Sequence, residues 1–345
     1  YLSAIPGSLT AEECYREALA ICDSLKVTRG RAEPLMGLAL LHAAAGDEVG
    51  ASAHAAEAID ICKTAGDEWM AGFVQLAVGS GLAGAGRDRA ARPWVEAARA
   101  TFARCGDEYC SAASQLWQAV LDLRAAGPAA AGSSSSANGT GSSPPATPPP
   151  TRSPASRGEL ESLLRTVRTH SYEFLFTRRT LFGPRDLGVL APLIIEASRL
   201  GIDRDHVQWL SSITGLEGLE YHPGYTLYVR TLGRFVLYRG NEEVPNREWQ
   251  REKAKALFQL LLVNRKGYIH RDQILDALWP GLDSDVASRH FKVALNAMLN
   301  VLEPDRPPRL NSFTIHRDGQ LYAINPRAGL WTDADEFESL AAKAG

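Results

Sequence analysis

Arg289, Lys292, Val293, Asn296 and Asn300 recur at three- and four-residue spacing, which in a helix gathers them on one face with His290 at its edge. Guanidinium and carboxamide side chains can each make paired hydrogen bonds, Arg289 to a guanine edge or a phosphate and Asn296 to an adenine edge. The branched methyls of Val293 suit a thymine methyl, and Lys292 offers a point charge to a base or phosphate. From Arg289 to Asn300 there is no Asp or Glu. A solvated helix face ordinarily mixes carboxylates with its cations, so the pattern points to a polyanion as partner. The chemistry is recognition, with no bond made or broken.

Little else in the chain could react. No G-x-x-x-x-G-K-[ST] occurs, and the glycine-rich run Gly79–Gly86 lacks the phosphate-binding lysine. G-x-S-x-G, H-E-x-x-H and paired carboxylates in a strand-end setting are missing too. Cys14, Cys22, Cys62, Cys105 and Cys110 include no Cys-x-x-Cys and no histidine at zinc-ligand spacing, so they read as small core residues of a reduced protein. The expectation is a binding protein and not an enzyme, with no cofactor and no metal.

Charge agrees with a local rather than a general polyanion site. The 345 residues carry a net charge of −3, yet Tyr225–Leu330 holds sixteen Lys and Arg against eleven Asp and Glu. Phosphate contacts from such a surplus supply salt-dependent affinity, while base contacts choose the site. No run of about 18 apolar residues and no signal peptide is found, so a cytoplasmic location with no membrane partner is expected. Tyr1 stands where an initiator Met would, and a longer natural chain is expected at both ends.

The recognition face needs a helix held from behind. Periodicity predicts that helix over Ser284–Leu302, with Ala287, Phe291, Ala294, Leu295, Met298, Leu299 and Leu302 inward. Asp283, Ser284 and Asp285 offer N-caps, and Glu303-Pro304 marks the stop. Two more helices are predicted, Arg251–Val263 and Arg271–Leu278, the latter ending at Trp279-Pro280. Ser312–Ile324 reads as two strands joined at Asp318-Gly319. Thr226–Tyr238 alternates apolar and polar residues before the turn Arg239-Gly240-Asn241. A small sheet, three helices and a terminal hairpin make a winged helix-turn-helix with an extra N-terminal sheet.

Upstream, Glu17-Ala18 with Ile21-Cys22 returns forty residues on as Glu57-Ala58 with Ile61-Cys62, and Gly66-Asp67-Glu68 returns as Gly106-Asp107-Glu108. Such a period signals helix pairs stacked as a solenoid, with helices near 11–27, 31–45, 49–65, 69–85, 88–105 and 109–124. Trp69, Trp94, Tyr109 and Trp117 are read as packing residues. The Pro/Ser/Gly-rich stretch 125–158 has almost no large apolar residue and is expected to be a disordered linker. Helical spacing resumes over 159–222. The expected class is multidomain and mainly α: a tetratricopeptide-like solenoid at 1–124, the linker at 125–158, a helical segment at 159–222, an α+β winged helix-turn-helix at 223–330, and a last helix at 331–345.

At Leu232-Gly233-Arg234-Phe235, Lys253–Leu257, Ile269–Pro280, Phe291–Met298 and Leu302-Glu303-Pro304 the sequence resembles the OmpR-type winged-helix domain of the Streptomyces antibiotic regulatory protein family, in which it is fused to a bacterial transcriptional activator domain. The forty-residue period resembles the tetratricopeptide-type repeats of MalT-like regulators. The resemblance implies a sequence-specific transcriptional regulator whose partners are double-stranded promoter DNA, RNA polymerase, and a protein or effector on the solenoid. Trp331–Leu340 then looks like the first helix of the activator domain.

On that reading Arg289, Lys292, Val293 and Asn296 enter the major groove, and His290 and Asn300 reach backbone. Arg317 beside the hairpin tip is placed for the minor groove and Arg309 for phosphates, while Arg247, Trp249, Arg251 and Lys253 are candidate phosphate clamps. Two other readings stay open. The chain could be a protein-interaction scaffold, or the output end of a MalT-like signal-transducing ATPase whose NTPase lies upstream.

Overall fold

The computed structural model of the chain describes residues 10–125 and 154–344. These form two compact units. Residues 10–125, 154–185 and 196–210 belong to the first, and 186–195 and 211–344 to the second. The chain is mainly α-helical with a small C-terminal sheet region. Among the described residues no helix is long and apolar enough to cross a membrane.

The first unit opens with six helices: α1 Ala11–Leu25, α2 Ala32–Ala44, α3 Glu48–Thr64, α4 Glu68–Gly84, α5 Asp88–Cys105 and α6 Glu108–Ala125. Each packs on the next, and α4 also touches α2 and α6. The repeat has a local cause. Gly46, Gly66, Gly86 and Gly106 end the preceding helices with φ between 70° and 77°, a left-handed turn that glycine adopts without strain. The next residue then caps the following helix: Asp47 accepts from the Gly50 N–H at 3.0 Å, Asp67 from Met70 at 3.0 Å and Asp107 from Cys110 at 2.8 Å. The same carboxylates also reach across the repeat, because Arg29 donates to Asp67 at 2.6 Å and the Trp69 indole to Asp107 at 2.8 Å. Between α2 and α4 the contact is made by small residues. A Cβ at Gly81 would come within 2.7 Å of the Ala43 methyl, so α2 and α4 meet at a distance no larger residue allows.

The stretch expected to be a linker lies outside the described residues except at its ends. There α6 runs through Ala125, and α7, Pro154–His170, begins earlier than expected, with Pro154 at the first helical position where a missing N–H costs nothing. The short α8 is Phe174–Thr177, α9 is Ala191–Arg199 and α10 is Arg204–Ile213. The segment 159–222 is not a body of its own. Its first part docks in the helical unit, where the Trp117 indole donates to the Phe182 carbonyl at 2.5 Å and the Tyr109 and Tyr172 rings meet at 5.6 Å. Asp186 belongs to the other unit, its carboxylate accepting the Thr226 N–H at 2.6 Å.

The second unit continues with β1 Leu227–Arg230, β2 Val236–Arg239, β3 Glu242–Glu243, α11 Glu252–Val263, β4 Ile269–His270, α12 Arg271–Leu278, α13 Ser284–Leu302, β5 Ile315–Asp318, β6 Leu321–Ile324, β7 Trp331–Thr332 and α14 Asp333–Ala344. One sheet has the order β3-β2-β1-β7 and the other β4-β6-β5. The alternating run from Thr226 is two strands, interrupted at Thr231–Phe235, because Gly233 turns with φ 97°. Trp331–Thr332, expected in a helix, is instead a strand parallel to β1, pairing Tyr228 with Trp331 and Val229 with Thr332. The helix starts two residues later, where Asp333 accepts the N–H groups of Thr231 at 2.7 Å and Leu232 at 3.0 Å. In the hairpin Asp318 still pairs with Leu321, so the two-residue turn is Gly319-Gln320. Gly319, at φ 57°, takes its first central position.

The third of the four equivalent positions tests the cap argument. Arg87 occupies the place of Asp47 and Asp67 with similar backbone angles and makes no side-chain cap bond to α5. Arg87→Asp is expected to stabilise the first unit by about 1 kcal/mol, read as a raised urea midpoint with unchanged slope.

Candidate nucleic-acid interface

α13 is built to show one face and lose the other. Asp283 caps it by accepting the Asp285 N–H at 2.9 Å, and Ala287, Phe291, Ala294, Met298, Val301 and Leu302 are buried. Phe291 meets Trp279 edge-on at 6.4 Å and Tyr322 at 5.2 Å, which places the helix against the end of α12 and against the hairpin. Leu295 and Leu299, expected fully inward, are only partly buried, and Val301 takes up the stripe instead. The helix ends in fixed partners. Its last carbonyls accept the Tyr225 hydroxyl at 2.7 Å on Leu302 and the Arg239 guanidinium at 3.2 Å on Val301, which suits the negative end of the helix dipole. Burial pushes the Tyr225 phenol up, so that hydroxyl keeps its proton.

The opposite face is open. Arg289, His290, Lys292, Val293, Asn296 and Asn300 are all exposed, Val293 by 44% despite being apolar. At about 100° per residue, all of these but His290 fall within roughly a third of the helix circumference. Among the described residues no side chain pairs with Arg289, Lys292, Asn296 or Asn300. A cation that makes no ion pair at home has no intramolecular bond to give up when it meets an external anion. His290 and Val293 also line a groove of about 300 Å³ with Arg251, Glu252, Lys253, Trp279 and Ala294. That groove joins the start of α11 and the end of α12 to the exposed face of α13.

The flanking residues divide. Arg251 is exposed in the groove, and Arg247 and Arg309 are exposed elsewhere, Arg309 in a left-handed conformation at φ 74°. Arg317 is exposed at the hairpin, with its Nε donating to the Gly319 carbonyl at 3.1 Å and its guanidinium 5.7 Å from the centre of the Tyr322 ring. Lys253 is in the groove but engaged, donating to the Leu278 carbonyl at 2.5 Å beside the Trp279 ring, so it caps α12. Trp249 is no phosphate clamp. It is 3% exposed and stacks on Phe258 at 5.9 Å, because the turn before α11 folds its indole under the first sheet and not toward solvent.

Arg271 was missed by sequence reasoning. It starts α12, donates to the Ser288 hydroxyl and lies over the Phe291 ring at 6.0 Å, bracing α13 from beneath its exposed side. Its place directly after the Ile269-His270 pair was the only available signal.

Among the described residues no group of three or more His, Cys, Asp or Glu could hold a metal ion. Comparison with protein-family models, with curated proteins and with solved structures returns no match.

Two measurements check the scaffold under the face. Trp249→Ala should lose about 3–5 kcal/mol of stability in urea unfolding. His222, tilted against Phe313 at 4.3 Å and accepting the Gly224 N–H at 3.0 Å, has its pKa lowered by burial from 6.5 to about 4. From pH 6.5 down to about 4 the unfolded chain takes up a proton that the folded chain refuses. Stability from this group is therefore complete above that window and lost as pH falls through it, by up to about 3 kcal/mol. The difference in unfolding free energy between the chain and His222→Asn should track this curve and flatten on either side.

Proposed function

We propose that the chain is a sequence-specific DNA-binding transcriptional regulator, or the C-terminal part of one. In this reading α11, α12, α13 and the β5–β6 hairpin are an OmpR-type winged helix-turn-helix, with α13 in the major groove. The helices α1 to α6 are a tetratricopeptide-like solenoid for sensing or for docking a partner, and α14 opens an activator region that meets RNA polymerase. The observation that carries the reading is the open face of α13, whose cations and amides have no side-chain partner among the described residues and no carboxylate among them from Arg289 to Asn300.

The mechanism is binding in two layers. Arg251, Arg247 and Arg309 contact phosphates and orient the domain, giving affinity for any duplex that falls steeply with salt. Arg289 and Asn296 then read base edges through paired hydrogen bonds, and Val293 packs on a thymine methyl. Binding to the best site from a randomised duplex library is expected to exceed binding to random duplex at physiological salt. Arg289→Ala and Asn296→Ala should each relax discrimination by about 1–3 kcal/mol at one base position, whereas Arg251→Ala should weaken all sequences alike and reduce the salt slope by about one. Equal affinity for selected and random duplex, unchanged by Arg289→Ala, would favour the protein-interaction scaffold instead.

A further inference from the structure

Glu303 follows the last residue of α13, and its side chain is 0% exposed. Its Oε1 accepts the Thr314 N–H at 2.6 Å and the Ser312 hydroxyl at 2.7 Å. Among the described residues its Oε2 has no hydrogen-bond partner, and the Arg306 Nε 3.6 Å away has none either, that guanidinium donating instead to the Leu310 carbonyl at 2.5 Å. Burying a carboxylate with one oxygen unsatisfied is costly, and a neutral acceptor could serve the same two donors. The cost calls for a reason in geometry.

The two donors lie at the base of the β5–β6 hairpin. Thr314 leads directly into β5, its carbonyl accepts the Asn325 N–H at 2.8 Å, and the Asn325 amide donates to the Phe313 carbonyl at 2.7 Å, which closes that base. Among the described residues, the bonds to Glu303 are the only hydrogen bonds between the stretch 284–303 and the stretch 312–325. Otherwise α13 and the hairpin share apolar contact, chiefly Phe291 on Tyr322. Arg317 stands three residues beyond Thr314, about 10 Å along an extended strand. A tilt of about 10° at the base therefore moves Arg317 by about 2 Å, enough to break a hydrogen bond.

We propose that Glu303 is a positioning residue that sets the hairpin's angle to α13, so that Arg317 meets a duplex in register with Arg289 and Asn296. This rests on the DNA-binding reading above. Without the link the hairpin stays folded, since its ladder and the β4–β6 pairing are untouched, but its angle to α13 is then held only through β4 and by apolar contact. The signature is loss of what Arg317 contributes while the readout by α13 survives.

The test is a mutant cycle on the full chain, read as affinity for its selected duplex by fluorescence anisotropy at fixed salt, with folding checked by circular dichroism. Arg317→Ala should weaken binding about tenfold in the wild-type chain and in Glu303→Gln, which keeps the acceptor. In Glu303→Met, which keeps the bulk but not the acceptor, Arg317→Ala should cost less than about twofold, while Arg289→Ala costs the same in every background. Ser312→Ala removes one of the two links together with the Ile315 N–H bond to that hydroxyl at 3.0 Å, and should bring the Arg317→Ala penalty to about threefold, so the test stands even where Glu303→Met does not fold. An Arg317→Ala penalty unchanged in Glu303→Met and Ser312→Ala, or absent from the wild-type chain, overturns the proposal. Failure of the wild-type chain to prefer any duplex overturns the reading beneath it, and is told apart because no variant is then needed.

Discussion

The C-terminal unit depends on one constraint: the apolar stripe of α13 must be buried, which α11, α12 and the β5–β6 hairpin do. Phe291, Met298 and Leu302 are each nearly or wholly enclosed, and burying side chains of this size is worth roughly 1.5–3 kcal/mol apiece. An exposed ion pair contributes about 0–1 kcal/mol. The orientation of α13 is thus decided by its greasy side, and the cationic side is what remains. That order of magnitudes is why the outward residues are free to be chosen for chemistry. Arg289, Lys292 and Asn296 take no part in holding the helix.

Polar bonds enter where packing cannot finish the job. The ends of α13 are a case in point, with Asp283 closing the first turn and Tyr225 and Arg239 closing the last. Arg271 and Lys253 do the same for neighbouring elements, one bracing Ser288 and the other capping α12. At the far edge of the unit Arg265 donates to Asp335 at 2.6 Å and Lys266 to Glu338 at 2.6 Å, holding α14 beside α11. Phe337 and Leu340 of α14 remain 63% and 58% exposed.

The helical unit uses a different economy of residues. Its helices are alanine-rich and approach closely where α2 meets α4, while large side chains such as Phe102, Leu76 and Trp117 fill the rest of its core. The turns add to that packing, since a left-handed glycine and a capping aspartate recur there and the aspartate also ties one helix pair to the next. Hydrogen bonds from Arg29 and from the Met70 N–H hold the Asp67 carboxyl below its ordinary pKa, and the bond from the Gly50 N–H does the same for Asp47. These groups stay ionised, and the caps stay made, through the physiological range.

Much of this was legible in the amino-acid sequence because it is local. Helical periodicity placed α12 and α13 at their observed limits and α1 to α6 within about two residues, and Gly-Asp spacing marked the turns at Gly66 and Gly106. The exposed set on α13 was legible for the same reason, since a helix converts spacing into direction. Residues in irregular or short segments were not. Trp249 looked like a surface aromatic among cations and is core, because a turn can point its side chain either way and only the sheet above it chose. Trp331–Thr332 became a strand because β1 offered an unpaired edge, and Glu303 became a buried link because Thr314 arrived beside it. Sequence by itself settled what repeats along a single element, where covalent geometry sets the direction of each side chain. The tertiary structure alone decided which elements meet and which polar groups are satisfied there, because those bonds join residues whose separation in the chain says nothing about their distance in space.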